Sequence, residues 1–320
     1  MTKLDFIEPD FETLVMDERN GIDYVPFKTP IVVKDGWHLI FQQSCHGLVL
    51  CTIRVGGRRR YVVYNPSTRQ CKTLPSPQFR ITGVPHVMSV SIAFDPAKSS
   101  YLEAVYVCRT DNSEGMLHIE IYSPKTDSWR DAGEPFPFSK SGKLLISGVY
   151  WNGSVHWIDN WTGTLHYFDI DCELMKNIAL PTEPNHYEDS RRRIVYFNEC
   201  RGHIHLVETR KDDMPGFDIW ELRSDYTGWN LNYYVDLSPL ITVYPGIVND
   251  RTVSRLISRL KLRVLFVEEG QDSSSRLILS ITNDKLISFY LKSKCFKEMY
   301  DVKPDVWVQG FEYIETLAHA

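Results

Sequence analysis

Five times along the chain a β-forming run closes on an aromatic side chain, passes through a short polar turn and returns on a second bulky residue. The copies are YVVYNPSTRQCKTLP (61–75), IEIYSPKTDSWRD (119–131), LHYFDIDCELMKNIALP (165–181), FDIWELRSDYTGWNLNYYVDL (217–237) and LISFYLKSKCFKEMYDV (286–302). Each reads as a hairpin. Val62 and Tyr64 alternate faces at period two, and Pro66 and Pro124 stop their strands. Ser67, Thr68, Thr126 and Asp127 offer side chains that bond nearby backbone in a turn. The return strand then carries Cys71, Trp129, Met175, Trp229 or Phe296, placed to pack between neighbouring sheets. A lone hairpin is marginal in water, so each copy needs neighbours.

Ahead of every hairpin lies another β-rich run: HGLVLCTI (46–53), LEAVYVCR (102–109), GVYWNGSVHWI (148–158), GHIHLVETR (202–210) and RLILSIT (276–282). With Tyr64, Tyr122, Phe168, Trp220 and Tyr290 as anchors, the copies are 58, 46, 52 and 70 residues apart. A four-stranded propeller blade takes about 40–50 residues. The expected fold is therefore an all-β propeller of about six blades, with five or seven also compatible. The last spacing exceeds one blade. It holds IVNDRTVSRLISRLKL (247–262), where Val253, Leu256, Ile257 and Leu260 share a helical face, so one amphipathic helix is expected near 247–260. No linker or low-complexity run divides the chain. Residues 1–34 read as an N-terminal extension that helps complete the ring, and 35–320 as one domain.

The net charge of −5 and pI near 6.1 argue against nucleic-acid and membrane-surface partners. Seven widely spaced cysteines with no CxxC pair argue against a disulfide framework and for a reducing compartment. MTKLDFIEPDFETLVMDERN has no apolar core of a signal peptide. The sequons at Asn152 and Asn160 therefore read as chance, and a cytoplasmic or nuclear location is expected.

No constellation points to catalysis. Cys45 and His46 are adjacent, and neighbours on a strand face opposite ways, which works against a Cys–His dyad. Gly56-Gly57 lack the Lys-Ser/Thr of a phosphate loop. In ECRGHIH, His203 and His205 share a strand face, but nothing nearby in sequence completes a metal set with Cys200. No catalytic residue, cofactor or metal is expected. The candidate partner-binding residues sit in polar segments: Arg58, Arg59 and Arg60; Asp111 and Asn112; Trp161; and Arg191, Arg192 and Arg193. Loops on a rigid scaffold commonly carry binding residues. Clustered Arg suits phosphate or an acidic motif, or is simply a solvated surface. Trp161 suits a binding hot spot, or folds back on its own blade.

Taken in order, SCHGLVLC (44–51), YVVYNPSTRQCKTLP (61–75), IAFDPAKS (92–99), IEIYSPKTDSWR (119–130), GVYWNGSVHWI (148–158), RGHIHL (201–206) and FEYIETLA (311–318) resemble the F-box-associated (FBA) region of plant F-box proteins. The likeness runs from about residue 35 to the C-terminus. It implies a kelch-like propeller that recruits protein substrates to an SCF-type ubiquitin ligase. The first 45 residues hold no LPxxLxxxIL-like helix of the kind that docks a Skp-type adaptor. The expected role is thus a non-catalytic protein-binding module for an unidentified protein target. The alternatives are an interaction protein outside any ligase, or an enzyme built on a propeller.

Overall fold

A computed structural model describes residues 11–17, 21–27, 38–55, 58–77, 85–110, 115–138, 148–181, 194–209, 215–247, 262–270, 275–281, 285–301 and 316–318. Strands β1 (Phe11–Asp17) and β2 (Gly21–Phe27) form an antiparallel hairpin of their own. The described strands after it build five antiparallel sheets, the blades of a propeller.

Blade 1 is β3 (His38–Cys45), β4 (Leu48–Val55), β5 (Arg58–Asn65) and β6 (Gln70–Thr73). Blade 2 is β7 (Pro85–Ala93), β8 (Glu103–Thr110), β9 (Met116–Ser123) and β10 (Ser128–Asp131), with the short β11 (Phe136–Pro137) paired to β9. Blade 3 is β12 (Val149–Trp151), β13 (Ser154–Asp159), β14 (Thr164–Asp169) and β15 (Leu174–Ala179). Blade 4 is β16 (Ile194–Cys200), β17 (His203–Thr209), β18 (Gly216–Leu222) and β19 (Trp229–Asp236). Blade 5 is β20 (Leu262–Glu268), β21 (Arg276–Ile281), β22 (Lys285–Tyr290) and β23 (Phe296–Asp301). The five repeated hairpins are the third and fourth strands of the five blades. The blade number is five, within the range read from the sequence.

Turn chemistry sets this meander. The first two strands of blades 1, 3 and 4 are joined by His46-Gly47, Asn152-Gly153 and Arg201-Gly202, both residues left-handed in each (φ 45° and 84°, 48° and 76°, 50° and 84°). That is the two-residue turn whose twist matches a hairpin. The third and fourth strands of blades 1–3 are joined by four residues ending in left-handed Arg69, Asp127 or Glu173. Asn65 Oδ1 accepts from the Ser67 and Thr68 N–H groups in the first of these, and Asp169 Oδ1 from Cys172 in the third.

Burial follows position in the blade. All six residues of β13 are buried, whereas β15 is mostly exposed, as an outermost strand must be. The returning bulky residues bridge to the preceding blade. Trp129 Nε1 donates to Pro75 O at 2.7 Å, and Trp229 Nε1 donates to Ala179 O at 3.0 Å. Met175 packs on the core shared by blades 2 and 3, and Phe296 on that shared by blades 4 and 5. Cys71, at the equivalent place in blade 1, is exposed. Two anchors shift from the sequence alignment. Leu222 and Phe289, not Trp220 and Tyr290, stand opposite Trp229 and Phe296. Both pairs keep the separation seen between Tyr64 and Cys71, Tyr122 and Trp129, and Phe168 and Met175 in blades 1–3.

A short helix α1 (Ser238–Val243) and a 3-10 turn (Pro245–Ile247) follow β19, burying Leu240 and Ile247 in the core between blades 4 and 5. The amphipathic helix expected near 247–260 falls, beyond Ile247, outside the described residues. The chain end returns to blade 1, where Asn65 Nδ2 donates to Thr316 O and Ala318 O at 3.0 and 2.6 Å. No helix among the described residues is long and apolar enough to cross a membrane.

Gly148 enters the innermost strand of blade 3 under tight packing. A Cβ there would meet Val155 Cγ1 at 2.5 Å, Trp157 Nε1 at 2.7 Å and Ser91 Oγ at 2.9 Å. Gly148→Ala should therefore cost about 2 kcal/mol through overpacking. Urea denaturation of the two proteins measures it, and an unchanged midpoint would contradict this packing.

Candidate functional site

Alternating strand direction gives the ring two chemically different faces. The turns between first and second strands, and between third and fourth, lie on one face. The loops between second and third strands, and the connections from one blade to the next, lie on the other. The first face has two-residue turns in blades 1, 3 and 4, and longer connections between Ala93 and Glu103 in blade 2 and between Glu268 and Arg276 in blade 5. The second carries segments of unequal length, bracketed by Val55 and Arg58, Thr110 and Met116, Asp159 and Thr164, Thr209 and Gly216, and Ile281 and Lys285.

Among the described residues, the candidates from the sequence fall on this side. Trp161 is in the Asp159–Thr164 turn, 43% exposed. Asp159 Oδ1 accepts from the backbone N–H of Trp161 and Thr162, at 2.9 and 3.4 Å, so the carboxylate shapes the turn that presents the indole. Arg58, Arg59 and Arg60 are not in a loop but open β5, across from Val55, Arg54 and Ile53. Arg59 and Arg60 are exposed. As successive strand residues, Arg59 and Arg60 point to opposite faces of the sheet, so these two do not form one cationic cluster. Asp111, Asn112, Arg191, Arg192 and Arg193 lie outside the described residues.

The first face holds a feature that the sequence did not reveal. A pocket of about 180 Å³ opens between blades 1, 3 and 4, lined by His46 and Gly47 from blade 1, Tyr150 from blade 3, and Asn198, Glu199 and Arg201 from blade 4. Two of the left-handed turns form its walls. Glu199 Oε1 accepts from Gly202 N at 2.5 Å, and Trp151 Nε1 donates to Gly202 O at 2.6 Å, so the Arg201 turn is held from both sides. Only the X-Gly signals at 46–47 and 201–202 could have hinted that these residues meet.

Cys45, at the wall of the same pocket, is buried in the core of blades 1 and 2. Its Sγ donates to Phe94 O at 3.4 Å, and burial pushes the thiol up to about 12. It therefore stays protonated at neutral pH, unlike a nucleophilic cysteine. Beside the pocket, burial lowers His156 to about 4. Its ring lies between Val149 O and the Tyr226 hydroxyl, each 3.0 Å away, and stacks within 4° of the Tyr226 plane. Tyr226, from the outer turn of blade 4, also stacks on Tyr167 at 4.3 Å, which ties blade 4 to blade 3.

His203 and His205 share a face of β17, as their spacing predicts, and the fold brings them acidic partners from afar. His203 Nδ1 lies 2.8 Å from Glu221 Oε1, and His205 Nε2 lies 3.0 Å from Glu269 Oε1. His205, Glu221 and Glu269 each place one potential ligand atom within 4.8 Å of the others.

The family match agrees with the architecture. The family described as the F-box associated beta propeller domain matches residues 25–319. The F-box protein At5g07610 of Arabidopsis thaliana is 28% identical over 306 residues, covering 88% of this chain and 70% of that protein. The F-box protein At5g49610 of the same plant is 22% identical over 289 residues, covering 86% and 73%. The Arabidopsis F-box/LRR-repeat/kelch-repeat protein At2g27520 is 26% identical over 143 residues, covering 43% and 38%. Among solved structures, a putative 6-phosphogluconolactonase from Bacteroides uniformis aligns over 92% of this chain and 78% of its own, at 12% identity and a TM-score of 0.42. YCF48 from Cyanidioschyzon merolae aligns over 88% and 76%, at 10% identity and a TM-score of 0.44.

Proposed function

Because the chain belongs to the F-box associated beta propeller family, we propose that it is a non-catalytic module that recognises a protein substrate for an SCF-type ubiquitin ligase. The observation that carries this reading is the match along residues 25–319, reinforced by relatives that are F-box proteins. In this reading the variable face does the recognising. Its loops differ from blade to blade, while the sheets beneath them supply a rigid frame. Trp161 is the anchor, since an indole held out by a polar turn offers large apolar area at low entropic cost. Arg59 adds a positive rim that favours an acidic or phosphorylated partner. The site of action is the cytoplasm or nucleus.

Proximity labelling in plant cells with the wild-type chain and with Trp161→Ala and Arg59→Glu tests the reading. The wild type should enrich at least one substrate-like protein together with ligase components. Trp161→Ala should weaken capture of that protein by about 2 kcal/mol, roughly thirtyfold. Folding stability should stay within about 0.5 kcal/mol of wild type, as for exposed substitutions generally. A partner set unchanged in both variants would remove the variable face from recognition. Recovery of core ligase subunits alone would remove the substrate-binding role.

A further inference from the structure

We propose that His205, Glu221 and Glu269, with His203 alongside, form a zinc-class divalent-cation site at the seam between blades 4 and 5. Two donors come from adjacent strands of blade 4, and the folded ring brings the third from blade 5. His205 is on β17, Glu221 stands directly opposite it on β18, and Glu269 follows β20 of the next blade. One donor atom from each lies within 4.8 Å of the others. Four-coordinate zinc holds imidazole nitrogen and carboxylate oxygen at about 2.0–2.2 Å. Small rotations of the two glutamate side chains therefore close the cluster around an ion.

The carboxylates are already oriented. Asn232 Nδ2 donates to Glu221 Oε2, while Oε1 of the same carboxylate meets His203 Nδ1. Such outer partners fix a ligand's direction. The His205 ring is 1% exposed, and its Nδ1 has no hydrogen-bond partner among the described residues. One hydrogen bond, to Glu269, holds this imidazole, and a cation at Nε2 would replace that bond alone. Two carboxylates beside an imidazole that is neutral when it ligates leave a local negative excess that a divalent ion offsets. Mixed nitrogen and oxygen donors favour a first-row ion over magnesium or calcium. The half-exposed His203 side chain (48%) opens the cluster to solvent on the pocket side.

Equilibrium dialysis of the full chain against Zn²⁺, with thiols blocked, should show one bound equivalent. Co²⁺ in its place should give ligand-field absorption without a thiolate charge-transfer band. Glu269→Gln and Glu221→Gln, each checked for native circular dichroism, should weaken Zn²⁺ binding about tenfold or more. At one fixed Zn²⁺ concentration the thermal midpoint should rise more for the wild type than for Glu269→Gln. Absence of uptake, uptake abolished by thiol blocking, or affinity unchanged in both variants would overturn the site.

Discussion

Trp157→Ala should destabilise the protein by about 4 kcal/mol, the cost of emptying a fully buried indole site. Trp157 lies on the second strand of blade 3, 1% exposed, within the core shared with blade 2. Its role is polar as well as apolar. Nε1 donates to Ser89 Oγ at 2.8 Å, Ser89 Oγ lies 3.3 Å from Ser91 Oγ, and Ser91 Oγ accepts from Gly148 N at 2.7 Å. This relay joins the innermost strands of blades 2 and 3 where solvent cannot substitute. Trp157→Phe, which keeps most of the volume but removes the donor, should cost about 1–3 kcal/mol, as expected when a buried hydroxyl loses its partner. Urea titrations followed by far-ultraviolet circular dichroism separate the two effects. A loss below about 1 kcal/mol for the alanine variant would mean that this seam contributes little to global folding.

Glu120 should make the protein less stable as pH rises from about 4.5 to 7. It sits on β9, 2% exposed, and neither carboxylate oxygen has a hydrogen-bond partner among the described residues. Burial, with the Asp131 carboxylate opposite, pushes it from 4.5 to about 7. The folded protein thus keeps a proton that the unfolded chain releases near 4.5. Stability is fully present below that value and falls as pH climbs to about 7, by about 3 kcal/mol in total. Glu120→Gln, neutral throughout, should flatten this slope and raise stability at pH 8 by about 2 kcal/mol. Chemical denaturation of both proteins at pH 5 and pH 8 decides it. An equal pH dependence in wild type and variant would show that Glu120 does not carry the effect.

The same contrast governs what could be read in advance. The hairpins at 61–75, 119–131, 165–181, 217–237 and 286–302 were legible because their signals are local. Period-two alternation, a polar turn and a bulky return residue lie within some fifteen residues of one another. The number of blades was harder to read. The segments from Thr73 to Pro85, Asp131 to Val149 and Asp236 to Leu262 stretch the spacing between repeats, so that spacing does not count blades. Arg58–Arg60 looked like a basic cluster in sequence, but strand alternation divides Arg59 from Arg60.

Local residue order alone determined that this chain forms hairpins in series, because turn and strand preferences act between neighbours. It also specified that these hairpins must pack on one another, since a single one cannot bury its apolar faces. Ring closure decided the rest. His46, Tyr150 and Arg201 come from three blades, and Glu269 reaches His205 across 64 residues. Which distant side chains meet depends on how successive sheets rotate about a common axis, a geometry set by the interlocking cores between blades rather than by any short stretch of sequence.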